Sequence, residues 1–516
     1  MLKLIPARLY LFCGLTTYLL FISQPSVAQV TSDGTLSTTV NNPSLDGKIF
    51  IINNGDRSGN NLFHSFDKFS IPTNGSAVFN NAAGIQNIFG WVTGGTISNI
   101  DGLIEAQGTA NLFLLNPSGV IFGPNASLNL SGSFITSTAD SIIFQDNIKF
   151  SAIDKTTPPL LTMSVPVGLE LGANPGATIT VTGNGNNLKL QRYSSLNTSI
   201  RPQGLHNQKV TNQTLALVGN NLVLDGGNIT LPKGRLELWS VNNGQVSLVN
   251  NNGQLQLEPL QGINYSNIDL QKAASVDISG NNTAVAQIRG KEINLKQRSV
   301  ILAETKNNGL GGILNLQASE FLTVEGFALN QNIQVFSGIL ADVAPNENGQ
   351  GGNIFINTKN LFVKDGGQIS TGTFGQGNAG NLTIKAQDVE VTGTVVVPNR
   401  GTFATLLSAN ARETTGNAGT LTIEANSLKV KDGAQIPATT SSQGNAGKIV
   451  VTAKDIELSN SGSGLFSFTT PGAKGVGGDL QITTDSLKIS HGAAIVSTTS
   501  SSEKAGNIKI DATQSV

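Results

Sequence analysis

The feature that most constrains this chain is a short motif, Gly-Asn-Ala-Gly, which returns through the C-terminal half. Gly377-Asn378-Ala379-Gly380, Gly416-Asn417-Ala418-Gly419 and Gly444-Asn445-Ala446-Gly447 precede Asn381-Leu382-Thr383-Ile384, Thr420-Leu421-Thr422-Ile423 and Lys448-Ile449-Val450-Val451. Degenerate copies end at Gly312, Gly352, Gly478 and Gly506. One and the same step separates Gly352 from Gly380, Gly419 from Gly447 and Gly478 from Gly506. The intervals from Gly312 to Gly352 and from Gly380 to Gly419 are longer. A second signature follows the first. Leu361 to Gly366, Leu428 to Gly433 and Leu487 to Gly492 end at equal distances beyond their repeat glycines, Gly352, Gly419 and Gly478. Alternation such as Leu-Thr-Ile puts the apolar residues on one face of a strand. Glycine after Asp or His supplies the positive φ of a tight turn. Each unit therefore reads strand, turn, strand, tight turn, strand, loop. No long apolar stripe of helical period follows the N-terminal segment.

Identical turns in successive units require each coil to stack on the one before, with inward Leu, Ile, Val and Ala forming continuous ladders. The pattern predicts an all-β chain wound as a single-stranded parallel β-helix, a pectin-lyase-like solenoid. Coils of roughly 20–28 residues stacked about 4.8 Å apart would give a rod on the order of 80–120 Å. Eleven of the 22 Phe fall between Phe50 and Phe150, which predicts a more elaborately packed, capped start. From about Ser151 to Arg201 the pattern weakens, as expected of surface loops or an extra-helical hairpin.

Residues 1–28 form an export signal. Lys3 and Arg8 give the positive end, Leu9 to Ile22 the apolar core, and Ser26-Val27-Ala28 the small residues before a cut between Ala28 and Gln29. An uncleaved anchor is the alternative. The single cysteine, Cys13, lies within that core, so the mature chain would have no disulfide and would rely on stacked strands for stability. With 32 Lys and Arg against 33 Asp and Glu and no basic block, the field needed to attract nucleic acid is missing. The organisation expected is a signal peptide at 1–28, a first domain at 29–150, a continuing β-helix with loop excursions at 151–300, and a repetitive rod at 301–516. The chain stops at Val516 just after Gly506 with no visible cap, which fits either a fragment or a short protein.

Residues 33–145 carry a family resemblance. Asn60-Asn-Leu-Phe-His-Ser-Phe-Asp-Lys-Phe69, Ala77-Val-Phe-Asn-Asn81, Ile85-Gln-Asn-Ile-Phe-Gly90, Gly94-Gly95 and Ile100-Asp-Gly-Leu-Ile104 lead to Asn111-Leu-Phe-Leu-Leu-Asn-Pro-Ser-Gly-Val-Ile-Phe-Gly-Pro-Asn-Ala126. In this order, directly after a signal peptide, they resemble the secretion domain of filamentous haemagglutinin-type two-partner secretion exoproteins. The resemblance implies a right-handed β-helix and a partner, an outer-membrane β-barrel transporter with periplasmic docking domains. It also implies an exported chain at the cell surface or in the medium, of adhesin or surface-layer type, with a cell-surface glycan or a receptor on a host or neighbouring cell as a further partner. The family's Asn-Pro-Asn-Gly turn matches Asn116-Pro117-Ser118-Gly119, with Ser at the third position in place of Asn. These four residues suit a β-turn, with Pro fixing φ at the second position. They are either a recognised secretion determinant or an ordinary structural turn.

Parallel β-helices also house polysaccharide lyases and hydrolases, so an enzyme is the main rival reading. No Asp-Asp pair or Gly-His-Gly occurs, and the acidic residues stand singly, mostly beside turn glycines. Arg289-Gly290-Lys291 fits an Arg-x-Lys pattern but reads as a solvated turn. Of the three histidines, His64 reads as a packed strand residue and His491 as a turn residue in the place of Asp365 and Asp432. Together with His206 they give no metal-ligand spacing. No catalytic residue, cofactor or metal is expected. A cytolysin or haem-binding exoprotein sharing only the secretion domain is the other rival.

Overall fold

The computed structural model describes residues 29–154, 160–190, 196–197, 202–330, 333–397, 401–412, 415–441 and 443–516. Residues 1–28, where the export signal with Cys13 and Ala28 is expected, lie outside them, and Gln29 is the first residue described.

The described chain is all β and forms a parallel β-helix with three faces. Leu361-Gly366 shows why the coil has that shape. In the strand Asn353–Lys364, Ile354 and Ile356 point inward, and so do Leu361 and Val363. The step from Ile356 to Leu361 is odd, so the alternation changes phase, and a corner at Thr358 is the only way to keep both pairs in the core. The expected turn between the first two strands is therefore a bend inside one long strand. The strands Leu382–Thr392, Leu421–Lys431, Ile449–Ser459 and Leu480–Ser490 repeat it in register. A tight turn then leads to short third-face strands such as Gln368–Ser370. In those turns both central residues are left-handed, with φ of 53° and 85° at Asp365 and Gly366, 57° and 82° at Asp432 and Gly433, and 52° and 83° at His491 and Gly492. The sequence assigned positive φ to glycine alone; Asp and His share it, as a type I′ turn requires. His491 is thus the turn residue expected.

Inside, apolar ladders such as Leu314, Ile354, Leu382, Leu421, Ile449 and Leu480 run along the axis almost without exposure. The repeat glycines answer to close approach rather than to backbone freedom. A Cβ at Gly419 would overlap the carbonyl oxygen of Gly380 in the coil below, and one at Gly447 would overlap that of Gly419. Between them the motif's asparagines form a second ladder: Asn417 N donates to Asn378 Oδ1 at 2.9 Å, and Asn445 N to Asn417 Oδ1 at 2.8 Å. Gly419→Ala should therefore destabilise its neighbouring coils by about 1–3 kcal/mol. Gly84→Ala, where an added Cβ meets nothing within 4 Å, should stay within about 0.5 kcal/mol. Urea unfolding of the two variants checks this, and equal shifts would contradict the stacking argument.

The third face is a 15-stranded sheet, parallel throughout except for its first strand, Thr38–Asn41. Fourteen parallel strands about 4.8 Å apart make a stack about 60 Å tall, shorter than the 80–120 Å expected from coil length. The difference is chain spent on excursions. Ser127 pairs with His206, far along the chain, because an antiparallel sheet intervenes. The hairpin of Phe327–Asn330 with Ile333–Phe336 accounts for the longer interval from Gly312 to Gly352. That of Thr394–Val397 with Gly401–Ala404 accounts for the one from Gly380 to Gly419.

The N-terminal start is capped on each face. Thr38–Asn41 pairs antiparallel with Ile49–Asn54, Asp56–Ser58 with Asn61–Phe66, and Val30–Thr31 with Lys68–Phe69, so the first coil presents no open edge. The clustered Phe residues have a further use. An antiparallel sheet of Lys149–Ser151, Ser141–Phe144, Pro166–Leu171, the distal part of Arg235–Asn251 and Gln254–Pro259 covers the outside of the first face. Beneath it Phe63, Phe89 and Phe113 stack with centroids 5.1 and 4.9 Å apart, Phe144 sits 5.1 Å from Phe89, and Trp91 lies on Phe150 at 4.0 Å. Of the stretch from Ser151 to Arg201, read as loops or a hairpin, residues 155–159, 191–195 and 198–201 lie outside the described residues, and over the rest the reading holds in part. Pro166–Leu171 belongs to this outer sheet, while Thr178–Thr182 returns to the helix between Val120–Phe122 and Asn221–Asp225.

Arg289-Gly290-Lys291 is not a solvated turn. It lies within the strand Val285–Leu295 at the corner between two faces, and the Arg289 guanidinium sits 4.7 Å from the centre of the Trp239 ring. A ring beside a corner strand keeps this arginine half-buried where charge alone would have sent it to water.

Candidate secretion determinant

The turn at Asn116-Pro117-Ser118-Gly119 joins the first-face strand Asn111–Leu115 to the second-face strand Val120–Phe122. Gly119 N donates to Asn116 O at 3.0 Å, closing the β-turn, and Ser118 N donates to Asn116 Oδ1 at 2.9 Å, the side-chain bond expected two residues on. Asn116 is fully buried. Its Nδ2 donates to Thr96 O and Ser98 Oγ, both at 2.9 Å, in the preceding coil, and its N donates to Ser137 O in the next. Gly119 has φ 112°, and a Cβ there would stand 2.9 Å from Thr178 O. Pro117 is buried and its carbonyl accepts from Asn174 Nδ2 at 2.8 Å, leaving Ser118 as the half-exposed member.

Two residues that sequence reading did not find border the turn: Asn174, which bonds Pro117 O, and Thr178, whose carbonyl packs close against Gly119. They lie far beyond Pro117 and Gly119 in the chain, and they meet the turn only because the outer sheet is inserted between the two second-face strands. No local signal marks such a pairing. The arrangement is rigid and polar and carries no reactive group. Among the described residues no cluster of three or more His, Asp or Glu is placed to hold a metal.

A buried titratable group, His64, lies in the first coil beside the N-terminal cap. It is 1% exposed, its Nδ1 lies 3.2 Å from Thr38 Oγ1, and it packs against Phe66 and Phe79 with ring centres 6.1 and 5.5 Å away. Burial lowers its pKa to about 4, opposed by Asp56. An unfolded histidine titrates near 6.5, so between those values the unfolded chain takes up a proton that the folded chain refuses. The cap is therefore expected to keep its full stability above about pH 6.5 and to lose about 3 kcal/mol as pH falls toward 4. Urea midpoints followed by tryptophan fluorescence at pH 7 and 4.5 should show this fall, and His64→Phe should reduce it. The same pH dependence in both proteins would remove His64 from the account. His206 is the middle residue of the short strand Leu205–Asn207, and its Nδ1 lies 2.7 Å from Gly204 O.

Comparison with known proteins places this geometry. The model of the TPS secretion domain matches residues 28–301 and so runs through the capped start, the Asn116 turn, the outer sheet and the return to the helix. Among solved structures, the chain is similar to the HMW1 secretion domain from Haemophilus influenzae at 16% identity, covering 93% of this chain and 99% of that one, with a TM-score of 0.43. It is also similar to the filamentous hemagglutinin secretion domain at 13% identity, covering 82% of this chain and 99% of that one, with a TM-score of 0.33. No curated protein matches it. With the matched segment taking in more than half of its 516 residues, this chain belongs to the family of proteins with a TPS secretion domain.

Proposed function

We propose that this exported exoprotein is a non-enzymatic surface adhesin whose residues 29–300 serve its passage and whose residues 301–516 form the rod that meets other surfaces. Export across the envelope with the help of an outer-membrane transporter follows from the family. The adhesin role is supported by one contrast along the outside of the first face. In the N-terminal coils that face is apolar and covered by the outer sheet. Beyond Trp239 the same positions become Arg289, Gln317, Asn357, Lys385 and Glu424, and among the described residues no outer sheet lies over them. A long polar face on a rigid rod is suited to contact rather than to catalysis, which needs groups converging on one point. Within the passage segment, the buried Asn116-Pro117-Ser118-Gly119 turn fixes the surface that the transporter's docking domains engage. Attachment of the purified secreted chain to cells tests the adhesin role. Binding above background is expected, and a chain that is released yet attaches no better than an unrelated secreted protein would contradict it.

A further inference from the structure

The covered part of the first face ends at a buried polar knot. Glu237 is fully buried and ion-paired with Arg235, it accepts from Trp239 Nε1 at 2.7 Å, and burial pushes its carboxyl pKa up against the pull of that arginine. Beyond the knot, the corner between the first and second faces becomes a trough. Its floor is made of small residues stacked in register, Ala318, Thr358 and Ala386, with Ala425 next above. Gln317, Asn357, Lys385 and Glu424 form one wall, and Ser319, Lys359, Gln387 and Asn426 the other. Tyr265 closes one end, and the cavity volume is about 680 Å³, within the usual range for ligand sites.

We infer that this trough binds a neutral oligosaccharide lying along the rod axis. Four successive coils spaced about 4.8 Å apart give it a floor about 14 Å long, room for about three sugar rings. Gln317, Asn357, Gln387 and Asn426 each offer both donors and an acceptor, which is what a ring of hydroxyls requires. The charges are already paired: Lys385 Nζ lies 2.9 Å from Glu424, and Lys359 Nζ lies 3.2 Å from Glu320. A carboxylate or sulfate would have to break such a pair, so the balance favours an uncharged ligand. Tyr265 presents an amphipathic ring suited to the apolar side of a sugar, and it is backed by Trp239 at 6.4 Å, itself under Arg289. An extended peptide has less to hold it, because the strands forming the floor pair with neighbours on both sides and leave no free ladder for strand addition.

This names the ligand class for the adhesin reading and rests on it, and the two fail differently. The full secreted chain is applied to an array of neutral, sialylated and sulfated oligosaccharides, with attachment to cells measured in parallel. Retention by neutral members of three or more rings is expected. Tyr265→Ala and, separately, the exposed pair Gln387→Ala with Asn426→Ala should reduce it about tenfold or more, while Lys488→Ala on the second face should leave it unchanged. Retention by acidic members alone, or neutral retention that both trough variants leave intact, overturns the inference. If cells still hold the chain in that case, the adhesin reading survives without the trough. Trough-dependent retention with no attachment to cells would instead sustain the trough and remove the adhesin reading.

Discussion

Replacing Asn116 and Gly119 by alanine together is expected to cut release of the chain to the medium by about tenfold or more while signal removal proceeds, leaving a cleaved periplasmic species. The change removes three side-chain hydrogen bonds of a fully buried asparagine and forces a Cβ at φ 112° toward Thr178 O. Each lost buried partner costs about 1–3 kcal/mol, and left-handed strain adds a comparable amount. A solenoid is held together by nearest-neighbour contacts, so that cost stays in the coils around the turn and the distant rod persists. The matched control is Asp432→Ala with Gly433→Ala, a turn of the rod with φ of 57° and 82° and a similar strain. Release of the control should stay within about twofold of the unaltered chain, since this turn lies outside the segment proposed to serve passage. Equal loss in both variants would make the Asn116 turn one structural turn among many.

The second large effect separates two phenylalanines on one ladder. Phe63, Phe89, Phe113, Ile135, Ala216, Glu237, Gln287, Asn315 and Phe355 occupy the same outward position in successive coils. Phe89 is fully buried beneath the outer sheet, and Phe355 is 43% exposed. Phe89→Ala should destabilise its region by about 3–5 kcal/mol, and Phe355→Ala by no more than about 0.5 kcal/mol. A rod of coils need not unfold in one step, so local amide exchange is the fitting measurement. In Phe89→Ala, protection in Asn111–Leu115 and Pro166–Leu171 should fall by about two to three orders of magnitude. Protection that changes alike in both variants would mean that the outer sheet does not seal a second core.

These contrasts mark what the sequence could and could not express. Gly380, Gly419 and Gly447 recur at the step of the coil, and the Leu-Thr-Ile alternation beside them records which side chains face in, so winding and register were legible. The Asp-Gly and His-Gly turns were legible as turns, though not as pairs of left-handed residues. The outer sheet was not. Its strands come from 141–171 and from 244–259, and each alternates much as a coil strand does, so nothing in the local pattern says that it pairs antiparallel outside the helix. The same insertion hid Asn174 and Thr178 from the Asn116 turn. Arg289 looks solvated in the sequence because its partner, Trp239, belongs to the preceding coil and is remote along the chain. The trough escaped notice because Gln317, Asn357, Lys385 and Glu424 share a face only after stacking.

The most direct test of the central claim, that this chain leaves the cell by two-partner secretion, is to quantify it in the medium and the periplasm with and without an outer-membrane transporter of that type. With the transporter, the cleaved chain should accumulate outside; without it, the same cleaved chain should remain periplasmic. Equal release in both strains would contradict the account.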